Sequence, residues 1–276
     1  SGGQDSMTLL SMINDMKNQH NWLVHVWHGD HQWHDKSERF ALELKSYCAK
    51  KNISFFFDQA NKEHIASEEK ARDWRYKKLN EKANQLLIEK QKNIYVLTGH
   101  TNSDNAETFL LNLARGTNFA GLSYIEKKRL IEDNIFLIRP LLIFSREDTK
   151  QFCKQMNIPI WEDPTNNNLK IKRNLIRKKI IPTLETMYPG CSERINNFAE
   201  KMSNYKNEQK DLSKLAYLFC EDGNGIKREL LNSLCIEARC TILNTFLKKN
   251  CTKQLSSKNI STLASTIFEK LKWLKN

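Results

Sequence analysis

Along the first half of the chain, segments of helical apolar periodicity are separated by short apolar runs. Leu9, Ile13 and Met16 share one face of a helix predicted over residues 7–18. Leu23 to Trp27 is a short apolar run with β-branched content, the pattern of a buried strand. Phe40, Leu44, Tyr47 and Cys48 return to helical register over residues 36–51, and Ile53 to Phe57 is a second strand. Ser67, followed by Glu68 and Glu69, is placed to cap a long helix running towards Lys92. Ile94 to Leu97 reads as a third strand, residues 102–114 as a helix, and Ile135 to Ile138 as a fourth strand stopped by Arg139-Pro140. Ser145 opens a helix that ends before Ile158-Pro159.

Strands alternating with helices predict an α/β fold, a parallel sheet with helices on both faces. Ligands of such sheets sit beyond the carboxyl ends of the strands. That singles out Ser1 to Ser6, His28 to His31, the stretch after Asp58, Gly99 to Glu107, and Arg139. From about residue 190 the pattern becomes helical, over roughly 192–219, 228–249 and 257–274, with no strand expected. The boundary is set near Pro189-Gly190, giving a catalytic domain at 1–190 and an all-α domain at 191–276.

Charge narrows the partners. The 276 residues carry a formal net charge of +12, which favours a polyanion such as nucleic acid. No apolar run reaches the roughly 18–20 residues that cross a bilayer, and the N-terminus lacks a basic-then-apolar signal pattern. No membrane association is expected, and the cytoplasm is the expected compartment. The seven cysteines are odd in number, scattered and without a C-x-x-C pair, which suits free thiols in a reducing compartment.

Ser1-Gly2-Gly3-Gln4-Asp5-Ser6 precedes the first helix. Two glycines let backbone approach an anion closely, and a helix N-terminus offers unpaired N–H groups. Ser1 and Ser6 supply hydroxyl donors to phosphate, and Asp5 is placed to hold Mg²⁺ against it. No strand precedes the hexapeptide, so the strand that should feed such a loop is expected to be missing from this sequence. After the third strand, Asp104 and Glu107 stand three apart on a helix and share a face, a pattern suited to an ammonium group or Mg²⁺. His100 is placed to touch phosphate or move a proton.

The hexapeptide resembles the signature of the PP-loop ATP pyrophosphatases. Gly99 to Leu122 is similar to the corresponding motif of the tRNA(Ile)-lysidine synthetase family. Thr101 and Ser103 stand where many members carry a second histidine and an aspartate, a version that looks cyanobacterial or plastid, as does His28-Gly29-Asp30-His31-Gln32-Trp33. Ala71-Arg72-Asp73-Trp74-Arg75-Tyr76, Arg139-Pro140-Leu141-Leu142, and Trp161-Glu162-Asp163-Pro164-Thr165-Asn166 with Arg173-Asn174 and Arg177 resemble three further family segments in order. The resemblance implies ATP and Mg²⁺ as cofactors, with free L-lysine and tRNA(Ile) bearing a CAU anticodon as partners. The expected reaction joins lysine to C2 of the wobble cytidine through an adenylated base. It assigns Ser1, Gly2, Gly3, Gln4, Asp5 and Ser6 to the nucleotide and Asp104 and Glu107 to the lysine ammonium. Arg72, Arg75 and Arg173 are charge stabilisers, and His100 lies near the reacting phosphate. Plastid stroma is the alternative compartment.

Two features compete with these assignments. His25, His28, His31 and His34 recur every third residue, but Gly29 and Asp30 oppose a helix that would gather them round a metal. Six basic residues between Lys170 and Lys179, with no acid among them, suit polyphosphate or RNA backbone. The rival functions are another PP-loop enzyme of the thiolase or amidating kind, and a truncated RNA-binding relic without catalysis.

Overall fold

Residues His25–Asp30 (β1) and Ser54–Gln59 (β2) run parallel, with His25 opposite Ser54 and Asp30 opposite Gln59. Strand side chains alternate between faces, and here the alternation builds the layers. Val26 and Phe55 pack with Met7 and Leu10 of Gln4–Met16 (α1) and with Leu44, Tyr47 and Cys48 of Ser37–Lys50 (α2). Trp27 and Phe56 face Glu68–Lys90 (α3), where Trp27 packs on Trp74 and the Lys82 ammonium lies over the Phe56 ring. This computed structural model describes residues 2–61, 67–90, 92–223, 225–250 and 256–270.

A second ladder holds Ile94–Leu97 (β3) parallel to Ile135–Ile138 (β5), with Lys128–Glu132 (β4) antiparallel on the far edge of β5. β4 is not expected from the sequence. Charged residues fill most of it, since an edge strand keeps them in solvent, and Asn134 makes the turn to β5 at φ 64. Asn102–Arg115 (α4) follows β3, and Arg146–Gln155 (α5) packs beside α1. The expected parallel sheet with helices on both faces is therefore present.

Beyond α5, Lys172–Leu175 (α6) continues through a π-helical turn, Ile176–Ile180, into Ile181–Met187 (α7). Gly190, at φ +80, then opens Cys191–Cys220 (α8). The chain divides into two compact units, Ser1–Glu200 and Lys201–Asn276. Tyr217, Cys220, Leu231, Ile242, Leu243, Ile260 and Ala264 form the core of the second unit.

Two details of that unit depart from the sequence reading. Glu221–Asp222 (β6) and Gly225–Ile226 (β7) form a minimal hairpin where no strand is expected. The helix expected over 228–249 is two helices, Arg228–Ser233 (α9) and Ile236–Asn250 (α10), followed by Ser257–Lys270 (α11). Leu234 is extended there, and buried Arg239 donates to the carbonyls of Asn232 and Leu234, satisfying the exposed end of α9. Among the described residues no helix is long and apolar enough to cross a membrane.

Candidate active site

The glycine loop enters α1 with Gly3 as its N-cap, extended at φ −74 and ψ 161, and no side chain caps the helix. The first N–H groups of any α-helix lack intrahelical acceptors, so this end is suited to an anion. The Ser6 hydroxyl donates to the Gly3 carbonyl at 2.9 Å. Ser1 lies outside the described residues.

Two distant segments fix the loop. The Trp161 amide donates to the Gly2 carbonyl at 2.9 Å, and a Cβ on Gly2 would stand 2.6 Å from the Trp161 ring. Trp161 is itself anchored by an indole N–H donated to Glu43. From α5, Thr149 donates to Asp5 Oδ1 at 2.6 Å and accepts from the Gln4 amide at 3.0 Å. Arg146 pairs with Asp5 Oδ2 at 3.2 Å, and its carbonyl accepts from Gln4 at 2.7 Å. Burial pushes the Asp5 carboxyl above the ordinary range, against the opposing effects of Arg146 and Thr149.

β3 delivers the second half of the site. A Cβ on Gly99 would meet the Asp5 carbonyl carbon and oxygen at 2.9 Å, so only glycine lets the turn after β3 lie against the loop. His100 follows, with Nδ1 2.9 Å from the Thr98 hydroxyl. Burial lowers its pKa to about 4, opposed by Asp104 and helped by Arg139, Arg173 and Arg72. Those interactions put His100, Asp104, Arg173 and Arg72 in one electrostatic neighbourhood. Arg75, one turn along α3 from Arg72, lies instead within 3.4 Å of His31 Nε2.

Thr101 and Asp104 close the first turn of α4. The Thr101 amide and hydroxyl both donate to Asp104 Oδ2, at 2.8 and 3.0 Å. Oδ1 receives Arg173 Nη2 at 2.9 Å. Glu107, only 1% exposed, accepts Arg173 Nε at 2.8 Å and a bidentate pair from Arg177 at 2.5 and 2.8 Å. Burial works to raise the Asp104 pKa, but Arg173 and the Thr101 amide outweigh it and hold the carboxylate below its usual range. The two acids do share a face, and two guanidinium groups cover it.

The segment carrying those arginines is built for the purpose. Asp163 accepts from the Thr165 amide and hydroxyl, fixing the turn at Pro164–Asn167. Buried Asn174 donates to the carbonyls of Thr165 and Asn168, tying α6 to that turn. Arg173 and Arg177 then project one turn apart. Of the six basic residues in this run, these two turn inward, while Lys170, Lys172, Lys178 and Lys179 remain exposed. The field of Asp5 also reaches Arg177, and that of Asp104 reaches Asp5, so the loop and the acid pair lie in one electrostatic neighbourhood.

His25 and His28 point to opposite faces of β1, His25 beside Phe56 and His28 beside Phe55 and Phe57. His31 packs on Trp33 and Trp74, and His34 faces Asp163. Strand geometry separates His25 from His28, and His31 and His34, beyond the end of β1, meet different partners.

Residues 1–184 match the family model described as a PP-loop domain. Over 98% of its length the chain is 79% identical to a tRNA(Ile)-lysidine synthase of Prochlorococcus marinus subsp. pastoris, covering 81% of that protein. It belongs to the tRNA(Ile)-lysidine synthase family. A chloroplastic family member from Gracilaria tenuistipitata var. liui is 33% identical, with 98% of this chain and 84% of that protein covered. A solved structure, the U34-tRNA thiolase NcsA from Methanococcus maripaludis, shares the fold at a TM-score of 0.55 and 16% identity, over 74% of this chain and 70% of that one.

Within the family motif, Thr101 and Ser103 now have local explanations. Thr101 holds Asp104, and the Ser103 hydroxyl accepts from the Arg146 amide at 3.0 Å. Arg177, Arg146 and Thr149 carry more of the site than their sequence context suggests. For Arg177 the four-residue spacing from Arg173 was a usable signal. For Thr149 none existed, since its partner lies at the opposite end of the domain.

Proposed function

We propose that this protein joins L-lysine to C2 of the wobble cytidine in tRNA(Ile) with a CAU anticodon, converting ATP to AMP and pyrophosphate. The observation that carries the reading is the buried acid pair, Asp104 and Glu107, set beside a PP-loop in a chain of this family.

In the first step the O2 atom of cytidine attacks the α-phosphate and pyrophosphate leaves. Gly2, Gly3, Gln4, Asp5 and Ser6 receive the phosphates at the N-terminus of α1, and Ser1 is assigned to the same loop. Arg72 and Arg173 offset the charge that develops there, with Arg75 on the outer rim. His100 is neutral at pH 7 and is assigned a hydrogen bond to the reacting phosphate rather than an ionic one. Asp5 is the loop carboxylate suited to Mg²⁺, an ion normally held by one or two carboxylates together with phosphate oxygens. When bound, the ion neutralises charge on the phosphates.

In the second step the ε-nitrogen of lysine attacks C2. The C2–N bond forms as the C2–O2 bond breaks, a proton leaves the nitrogen, and AMP carries O2 away. Asp104 and Glu107 hold an ammonium group of lysine for this attack, which gains chiefly from positioning. The helical segment 191–276 grips the tRNA, and the target base leaves its stack to reach the site. The proposed compartment is the cytoplasm, or the stroma in a plastid.

The test is incorporation of radiolabelled lysine into an unmodified tRNA(Ile) transcript with a CAU anticodon. ATP-dependent labelling that vanishes when the wobble cytidine is replaced is the expected result. A folded protein that binds the tRNA but transfers no lysine would overturn the reading.

A further inference from the structure

Resting on the assignment of the acid pair to lysine, we infer that Arg177 is a gate on that pair, so that nucleotide must bind before lysine binds tightly. All four carboxylate oxygens are already engaged. Glu107 Oε1 takes Arg177, Oε2 takes Arg177 and Arg173, Asp104 Oδ1 takes Arg173, and Oδ2 takes Thr101. Two negative and two positive groups make the cluster neutral. An arriving ammonium would raise it to a net positive charge where Glu107 is almost fully out of water, an arrangement that low dielectric penalises.

The two arginines are not equivalent. Arg173 bridges both acids at hydrogen-bond distance. Arg177 is committed to Glu107, stands 3.6 Å from Asp104, and is also reached by the field of Asp5 in the phosphate loop. It rides on the π-helical turn Ile176–Ile180, a local departure from α-helical geometry of a kind often found at functional sites. A polyphosphate in the loop offers Arg177 a stronger anion than Asp5. Drawn towards it, the guanidinium releases Glu107 to the ammonium of lysine, while the phosphates supply the negative charge that the enlarged cluster lacks. Nucleotide and lysine then bind with positive coupling, and linkage makes the coupling reciprocal.

The experiment is equilibrium dialysis of radiolabelled lysine against the full chain, with and without α,β-methylene-ATP and Mg²⁺. The expected result is a rise in lysine affinity of at least about tenfold with the analogue, and the same factor for the analogue when lysine is present. In Arg177→Gln, lysine should bind more tightly without nucleotide than in the parent, and the coupling should fall below about twofold. A role confined to holding the fold predicts the opposite sign, weaker lysine binding throughout. Equal lysine affinity with and without the analogue in the parent protein overturns the gate, and that measurement stands even if the variant fails to fold. Lysine that binds in neither state overturns the assignment of the acid pair, and the gate with it.

Discussion

Thr149 donates to Asp5 across 2.6 Å, joining residues 144 positions apart in the chain. The bond ties the start of one helix to the glycine-loop end of another. Thr149 also accepts from Gln4, and its own carbonyl accepts from the Thr8 hydroxyl. α5 therefore acts as a brace along α1, and the position of the loop carboxylate depends on it.

Replacing Thr149 by valine keeps the volume and removes the hydroxyl, with its contacts to Asp5, Gln4 and the Arg146 carbonyl. Asp5 and Gln4 each lose a partner in a site where Thr149 is 2% exposed. The expected loss of stability is about 1–3 kcal/mol, measured by urea unfolding. In steady-state pyrophosphate release the KM for ATP should rise more than kcat falls, and Thr149→Ser should restore it. An unchanged KM for ATP would show that the brace does not set the loop.

Gly99→Ala tests the other contact on the loop. The added carbon would lie 2.9 Å from the Asp5 backbone, which is no flexible side-chain end. Either the turn after β3 or the first turn of α1 must move. Because His100 and Asp104 follow that turn directly, ATP and lysine kinetics should both suffer, by about tenfold or more in kcat/KM, the loss expected from small misplacements. Normal kinetics in a stable Gly99→Ala protein would mean that the two segments move apart freely.

How far the sequence foretold this site depended on the range of each interaction. Local patterns were legible: the short apolar runs that make β1, β2, β3 and β5, the helical register of α2 and α4, and the shared face of Asp104 and Glu107. Each is set within a few residues by backbone geometry. Contacts between distant segments were not legible from pattern, since nothing near Thr149, Arg146 or Trp161 announces Asp5 or Gly2 as a partner. β4 was missed because an edge strand needs no apolar alternation, and the break between α9 and α10 because a buried arginine, not proline or glycine, receives the helix end. The basic run was legible as charge, but its division into two inward arginines and four outward lysines required the position of α4.

Acid should weaken the folded state through the buried histidines. Burial lowers His100 from 6.5 to about 4, His31 to about 4 and His28 to about 3. A folded-state pKa below the unfolded value means that the unfolded chain takes up protons first. This stability is fully present above about pH 6.5, and it is lost as pH falls towards 4. For His100 the full difference corresponds to roughly 3 kcal/mol. His100→Gln should flatten the dependence of unfolding free energy on pH between 6.5 and 4. An equally steep curve would mean that His100 is charged in the folded protein.

Glu107→Gln leaves the fold with two inward guanidinium groups and one fewer anion to meet them. Breaking a buried pair in this way costs about 3–5 kcal/mol, so a large drop in the denaturation midpoint is expected, together with a raised KM for lysine in the ligation. Because Arg177 loses the charge and one acceptor oxygen of its bidentate partner, Arg177→Gln in the same chain should recover part of the stability. If the double variant is no more stable than Glu107→Gln alone, the unpaired charge is not the source of the loss.

The exposed lysines beside those arginines give a separate prediction for tRNA. Lys178 and Lys179 face solvent, Lys178 donating to Asn167 of the neighbouring turn, whereas Arg173 and Arg177 point at the acid pair. If the lysines contact phosphates, Lys178→Ala with Lys179→Ala should reduce the slope of log affinity against log salt by about 1.4–1.8, counting one released counterion equivalent per contact. Arg177→Gln removes the same kind of charge a residue away but should leave the slope unchanged, since its guanidinium does not reach the surface that RNA covers. Filter binding of the tRNA over a salt series checks both. A slope that responds to Arg177 and ignores the lysines would reverse the assignment, placing the arginine on RNA and the lysines in solvent.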